Sequence, residues 1–155
     1  MSSFTEQLSQ ALSLLDKIDP SNAANSATPN YSGGIDMSKF NRVMYEVQIG
    51  AVTGAGTVNA QLQSCAQSNF ASGVHNLTGG AVTQVTNANP NCRVTLETTA
   101  DAVQTQNNGD RYVRLAVTIG ANSVVYGATG WGGIATQEPA NAQDAGTTLQ
   151  RLVVT

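Results

Sequence analysis

The stretch Gly109–Trp131, GDRYVRLAVTIGANSVVYGATGW, constrains this chain more than any other. Val113, Leu115, Val117 and Ile119 fall on one side of an extended backbone, and Tyr112, Arg114, Ala116 and Thr118 on the other. That period of two is the mark of a strand with one buried face. Gly120, Ala121 and Asn122 interrupt the run and Ser123–Tyr126 begins a second β-rich segment, so the sequence predicts a hairpin with a short Gly/Asn loop. A two-stranded hairpin is not stable alone in water, so the rest of the chain must extend the sheet and cover it.

Further strands read out on both sides. Val43, Tyr45, Val47 and Ile49 alternate with Arg42, Met44, Glu46 and Gln48; Val58, Ala60 and Leu62 alternate with Asn59, Gln61 and Gln63; Val94 and Leu96 alternate with Arg93, Thr95 and Glu97. Ala81–Thr86 and Leu149–Val154 complete the expected strands, with Gln67–Gly80, Asn87–Asn91, Gln104–Asp110 and residues 136–147 as turns or loops. Gly127–Gly133, GATGWGG, is too rich in glycine for a strand interior and reads as irregular. Short strands at near-regular spacing predict an all-β fold, an antiparallel β-sandwich or jelly-roll.

Residues 3–19 break the pattern. Phe4, Leu8, Ala11, Leu12, Leu15 and Ile18 recur at spacings of three and four, one stripe of an amphipathic α-helix. Ser3 and Glu6 form a capping box at its start and Pro20 supplies the stop. Three parts are therefore expected: an N-terminal helix over 1–20, a polar linker over 21–34, and a β-sandwich over 35–155. The stripe Phe4, Leu8, Leu12, Leu15 and Ile18 either covers the sandwich or forms a protein–protein interface with another subunit, which the linker permits.

A chain of 155 residues suffices for one domain with its own core. Charged residues make up 11% and the net charge is −3, with the 7 Lys and Arg nowhere clustered, which argues against nucleic acid as a partner. No apolar run approaches the ~20 residues needed to span a membrane. The opening MSSFTEQLSQ lacks the basic and apolar segments of a secretory signal, so cytosolic synthesis is expected. Cys65 and Cys92 then read as two small buried thiols, although a bridge closing a loop of about 28 residues stays open.

Catalytic chemistry is poorly provided for. His75 is the sole histidine, leaving one conceivable Cys/His pair with Cys65 or Cys92 and no multi-histidine metal site. Asp101, Asp110 and Asp144 are scattered in expected loops and form no calcium-binding motif, so neither cofactor nor metal is expected. GATGWGG and TGAG lack the strand–glycine–helix context of a phosphate loop and read as turns. Trp131 either covers an end of the sandwich or, with Tyr126, offers rings for stacking a sugar.

The order of pieces is itself informative. Ile35-Asp-Met-x-x-Phe40, the Ile49-Gly50 strand end, Val58-x-Ala-x-Leu-Gln63 and Arg111-Tyr-Val-Arg-Leu-x-Val-Thr118 together resemble small β-sandwich virion proteins of tailed bacteriophages, over roughly residues 35–128. Several of these are capsid decoration or cement proteins. The resemblance implies a non-enzymatic structural protein that binds the major capsid protein from outside, as a dimer or trimer, on the capsid surface after synthesis in the host cytoplasm. A tail or head–tail connector protein of the same virion, and a carbohydrate-binding module, are the alternatives.

Overall fold

A computed structural model describes residues 11–24 and 28–135. The expected Leu149–Val154 strand, the 136–147 loop, and Phe4 and Leu8 of the expected helix lie outside the described residues. Among the described residues ten strands run in chain order: β1 Leu12–Ala23, β2 Asn30–Tyr31, β3 Ile35–Asp36, β4 Phe40–Ile49, β5 Thr57–Cys65, β6 His75–Ala81, β7 Val85–Thr86, β8 Cys92–Thr99, β9 Tyr112–Gly120 and β10 Val124–Ala135. A short helix, α1 (Ala100–Gln106), follows β8.

The strands form two antiparallel sheets. The first has the order β1-β10-β4-β8; the second has the order β2-β9-β5-β6, with β3 on β9 and β7 on β5. The inward residues of both sheets meet in one core. Val43, Tyr45 and Val47 of β4 and Val124 and Tyr126 of β10 come from the first sheet; Val58 and Leu62 of β5 and Val113, Leu115 and Val117 of β9 come from the second. The period-two readings of β4, β5, β8 and β9 therefore placed the correct faces inward.

Four expectations are corrected. The segment expected as the end of a helix, Leu12–Asp19, lies in β1, an edge strand paired with β10 along its length. Two register shifts, between Leu14 and Asp16 and between Ile18 and Ser21, insert extra residues, so apolar side chains that a regular strand would space by two fall three apart. The spacing imitates a helical stripe, and tertiary pairing decides the outcome. The 1–20 helix and 21–34 linker are accordingly not separate over the described residues: β1 runs to Ala23, and Asn30–Tyr31 pair with β9.

The expected hairpin is also absent. β9 belongs to the second sheet and β10 to the first, so the turn at Ala121–Ser123 carries the chain across the core instead of back along the same sheet. Gly127–Gly133 is no loop but the middle of β10, a central strand. Its glycines serve space rather than turning: a Cβ on Gly130 would lie 2.6 Å from the Tyr45 ring, and one on Gly132 would lie 2.5 Å from Leu15 and 2.7 Å from Phe40. The neighbouring side chains lie over these glycines. Finally, α1 follows the expected strand end at Thr99 and takes in Gln104–Gln106 of the expected Gln104–Asp110 turn, because the Thr99 hydroxyl caps it by accepting from the Ala102 amide and Asp101 occupies its first turn.

Candidate interaction face and buried polar clusters

Of the expected interface residues, Leu15 and Ile18 pack against the core and Leu12 lies beside Gly133 on the outer face. They do not form one exposed stripe. Asp16, between them, is buried and accepts three hydrogen bonds from distant groups. The Gly33 amide donates to Oδ1 at 2.8 Å, the Gly34 amide to Oδ2 at 2.9 Å, and the Tyr45 hydroxyl to Oδ2 at 2.6 Å. Gly34 sits at φ +96°, a conformation open to glycine, and there its amide turns onto the carboxylate. Ser32 extends the cluster, donating from Oγ to the Tyr45 hydroxyl at 3.3 Å and accepting from the Leu115 amide at 2.9 Å. Burial, with the Asp16 carboxylate beside it, pushes the Tyr45 phenol well above its ordinary value. The cluster ties β1 to β4, to β9 and to the β2–β3 turn.

His75, Asp110 and Ser64 also meet. Ser64 Oγ donates to Asp110 Oδ2 at 2.6 Å, and His75 Nδ1 lies 2.9 Å from the same oxygen. The carboxylate stands between hydroxyl and imidazole, whereas a nucleophilic serine needs the imidazole between hydroxyl and acid. Ser64 is wholly buried besides. Cys65 is buried against the Ser72 carbonyl, and Cys65 and Cys92, from different sheets, are both free thiols. Among the described residues no three His, Cys, Asp or Glu side chains group as metal ligands, and no helix is long and apolar enough to cross a membrane.

The outer face of the first sheet is organised differently. Register places Leu14, Trp131, Met44 and Glu97 in one row across its four strands. Three large, half-buried apolar side chains thus lie side by side on the face turned away from the core. Ion pairs border the three apolar side chains: Arg42 reaches Glu97, the charged end of the row, at 3.8 Å, and Arg93 pairs with Glu46 at 3.4 Å. Farther along, a shallow groove of about 400 Å³ runs past Ile18, Pro20, Gln48 and Val125. Val125 is 52% exposed. Trp131 and Tyr126, paired in the sugar-stacking expectation, lie on opposite faces of β10: Tyr126 is 1% exposed, and its hydroxyl accepts from Asn30 Nδ2 at 2.7 Å. Tyr126 is a core residue. The sequence named Trp131 but not its row, because Leu14 and Met44 become its neighbours only through register. No protein-family model matches this chain, and no curated protein sequence matches it.

Proposed function

We infer that this chain is a structural component of a tailed-bacteriophage virion, a decoration or cement protein that binds the outside of the head and acts through contacts rather than catalysis. The row Leu14–Trp131–Met44 carries the reading. An aromatic and a methionine at the centre, with charged pairs around them, is the composition of a protein interface with an apolar core and a polar rim. The partners are the major capsid protein and further copies of the chain, as a dimer or trimer.

Strand order supports the reading. Without β3 and β7, which lie off the main path of their sheet, the eight remaining strands run first-eighth-third-sixth in one sheet and second-seventh-fourth-fifth in the other. That is jelly-roll order, an architecture that recurs in viral capsid and lectin domains. Fold alone does not assign function, so the row of side chains bears the weight.

The test uses heads purified from a phage deleted for this chain, to which the full-length protein is added back and sedimented. Wild type is expected to saturate the heads, and Trp131→Glu to lose at least about tenfold in occupancy while keeping its thermal transition. Sedimentation with tails instead of heads would favour the connector reading. Equal head binding by wild type and variant would remove this face from the attachment.

A further inference from the structure

The turn that follows α1 leaves one asparagine open to chemistry. Asn108 is the single asparagine of this chain that precedes a glycine. The Asp110 amide donates to the Asn107 carbonyl at 3.0 Å, and Gly109, third in that turn, has φ +96°, so residues 107–110 form a type II turn. Its other members are held. Asn107 Nδ2 donates to Ser64 Oγ at 3.2 Å; Gln104 Nε2 donates to the Asp110 carbonyl while its Oε1 accepts from the Gly109 amide at 3.3 Å; and the Asp110 carboxylate meets Ser64 and His75. Asn108 is exposed, and among the described residues its side chain has no hydrogen-bond partner.

The glycine decides the reactivity. An asparagine Cγ can be reached by the backbone nitrogen of the next residue, closing a succinimide ring, and a side chain on that next residue obstructs the approach; glycine has none. The surroundings are open as well, since a Cβ built on Gly109 would meet nothing within 4 Å. Every other asparagine of the chain precedes a residue that carries a side chain. The nearest rival, Asn122 before Ser123 in the β9–β10 turn, is also tied down, its Nδ2 donating to the Thr53 carbonyl at 3.0 Å.

We propose that Asn108 is a site of spontaneous deamidation. The Gly109 nitrogen loses its proton and bonds to Asn108 Cγ while the Cγ–Nδ2 bond breaks, and Nδ2 takes up a proton and leaves as ammonia. Water then opens the ring. Breaking the bond from the Gly109 nitrogen to Cγ gives aspartate, and breaking its bond to the main-chain carbonyl carbon gives isoaspartate; nothing is oxidised or reduced. Either product makes the net charge of −3 one unit more negative. Isoaspartate also adds a carbon to the backbone between Asn107, held by Ser64, and Asp110. The bond that closes the turn is then lost, and the Asp110 carboxylate is drawn off Ser64 and His75. None of this depends on the virion reading.

Isoelectric focusing and peptide mapping by mass spectrometry test it on the folded full-length protein held in warm, mildly alkaline buffer, beside the same protein in urea. An acidic band is expected to grow with time, with the amide-to-acid mass change in the peptide spanning residues 107–110 and isoaspartate detected there by methyltransferase labelling. Asn108→Gln, whose longer side chain closes a ring far more slowly, is expected to lose that band and to melt like wild type. No conversion at residue 108 in the folded protein overturns the proposal, and so does conversion at Asn122 ahead of it. Conversion in urea alone would do the same, by showing that the folded turn protects the site. The isolated isoaspartyl form is expected to melt below Asn108→Asp, which carries the same charge on an unaltered backbone. Equal melting would overturn the link to the Asp110 cluster.

Discussion

Gly130→Ala is the substitution that most sharply separates this fold from the turn-like character of its glycine run. The added Cβ would stand 2.6 Å from Tyr45 Cε1 and 3.0 Å from Asp16 Cβ, against ordinary contact from 3.4 Å, so the ring must retreat by 3.4 − 2.6 = 0.8 Å. The ring is not free to do so, because its hydroxyl is held 2.6 Å from Asp16 Oδ2 and 3.2 Å from the Val113 carbonyl. Overpacking of this kind costs about 1–3 kcal/mol, and loosening a hydrogen bond to a buried carboxylate adds about 1–3 kcal/mol. A loss of about 2–6 kcal/mol corresponds to a melting temperature lowered by about 6–18 °C in a chain of this length. If the site were an exposed turn, alanine would instead gain about 0.4–1 kcal/mol by restricting the unfolded chain, so even the sign discriminates. Urea denaturation of Gly130→Ala, Tyr45→Leu and the double variant supplies the cycle. The alanine is expected to be at least about 1 kcal/mol less damaging once the ring is gone. A neutral Gly130→Ala, or equal damage in both backgrounds, would refute the seating of Tyr45 over Gly130.

Three further outcomes follow from the same contacts. Leu115 is wholly buried on β9, so Leu115→Ala should lose about 2–5 kcal/mol in urea denaturation, and a loss under about 0.5 kcal/mol would contradict its place in the core. Deleting residues 1–20 removes Asp16, Leu15 and Ile18 together, so the melting temperature should fall steeply; an unchanged transition would mean that β1 contributes nothing to the domain. The fork of hydrogen bonds from Arg111 holds the Asp36 carboxyl down at about 2. A depressed carboxylate stabilises the fold above its unfolded value near 4 and loses that contribution as pH falls toward 2. The stability gap between wild type and Asp36→Asn should therefore narrow between pH 5 and about 2 in a series of melts, and a gap independent of pH would exclude the linkage.

Legibility from sequence followed the locality of the signal. β4, β5 and β9 were readable because each alternates without interruption and each buries one face. β1 was not, because its inward residues Ser13, Leu15, Asp16 and Ile18 are spaced irregularly by bulges and two of the four are polar. A buried aspartate looks like a solvated one until Gly33, Gly34 and Tyr45 arrive from elsewhere. β10 was missed for a related reason: glycines that accommodate a neighbour's ring carry the same letters as glycines that turn. The pairing of β9 and β10 failed differently. Alternation tells which residues face inward but not which sheet receives the strand, and a three-residue connection serves both a hairpin and a crossing between layers. Thr99 and Asp101 were a visible signal for α1, short though it is.

The position of the last two described strands bears on how the chain is made. β9 lies between β2 and β5, and β10 lies between β1 and β4, so each sheet receives its central member after its flanks have been synthesised. Until residues 112–135 leave the ribosome, β1 and β2 have no lateral partner among the described strands, and only the β4–β8, β5–β6 and β5–β7 pairings are open to the nascent chain. Pairings so distant in sequence form slowly and leave strand edges exposed while they wait. Folding of this domain therefore waits on residues 112–135, and a chain terminated before β9 would hold neither sheet together.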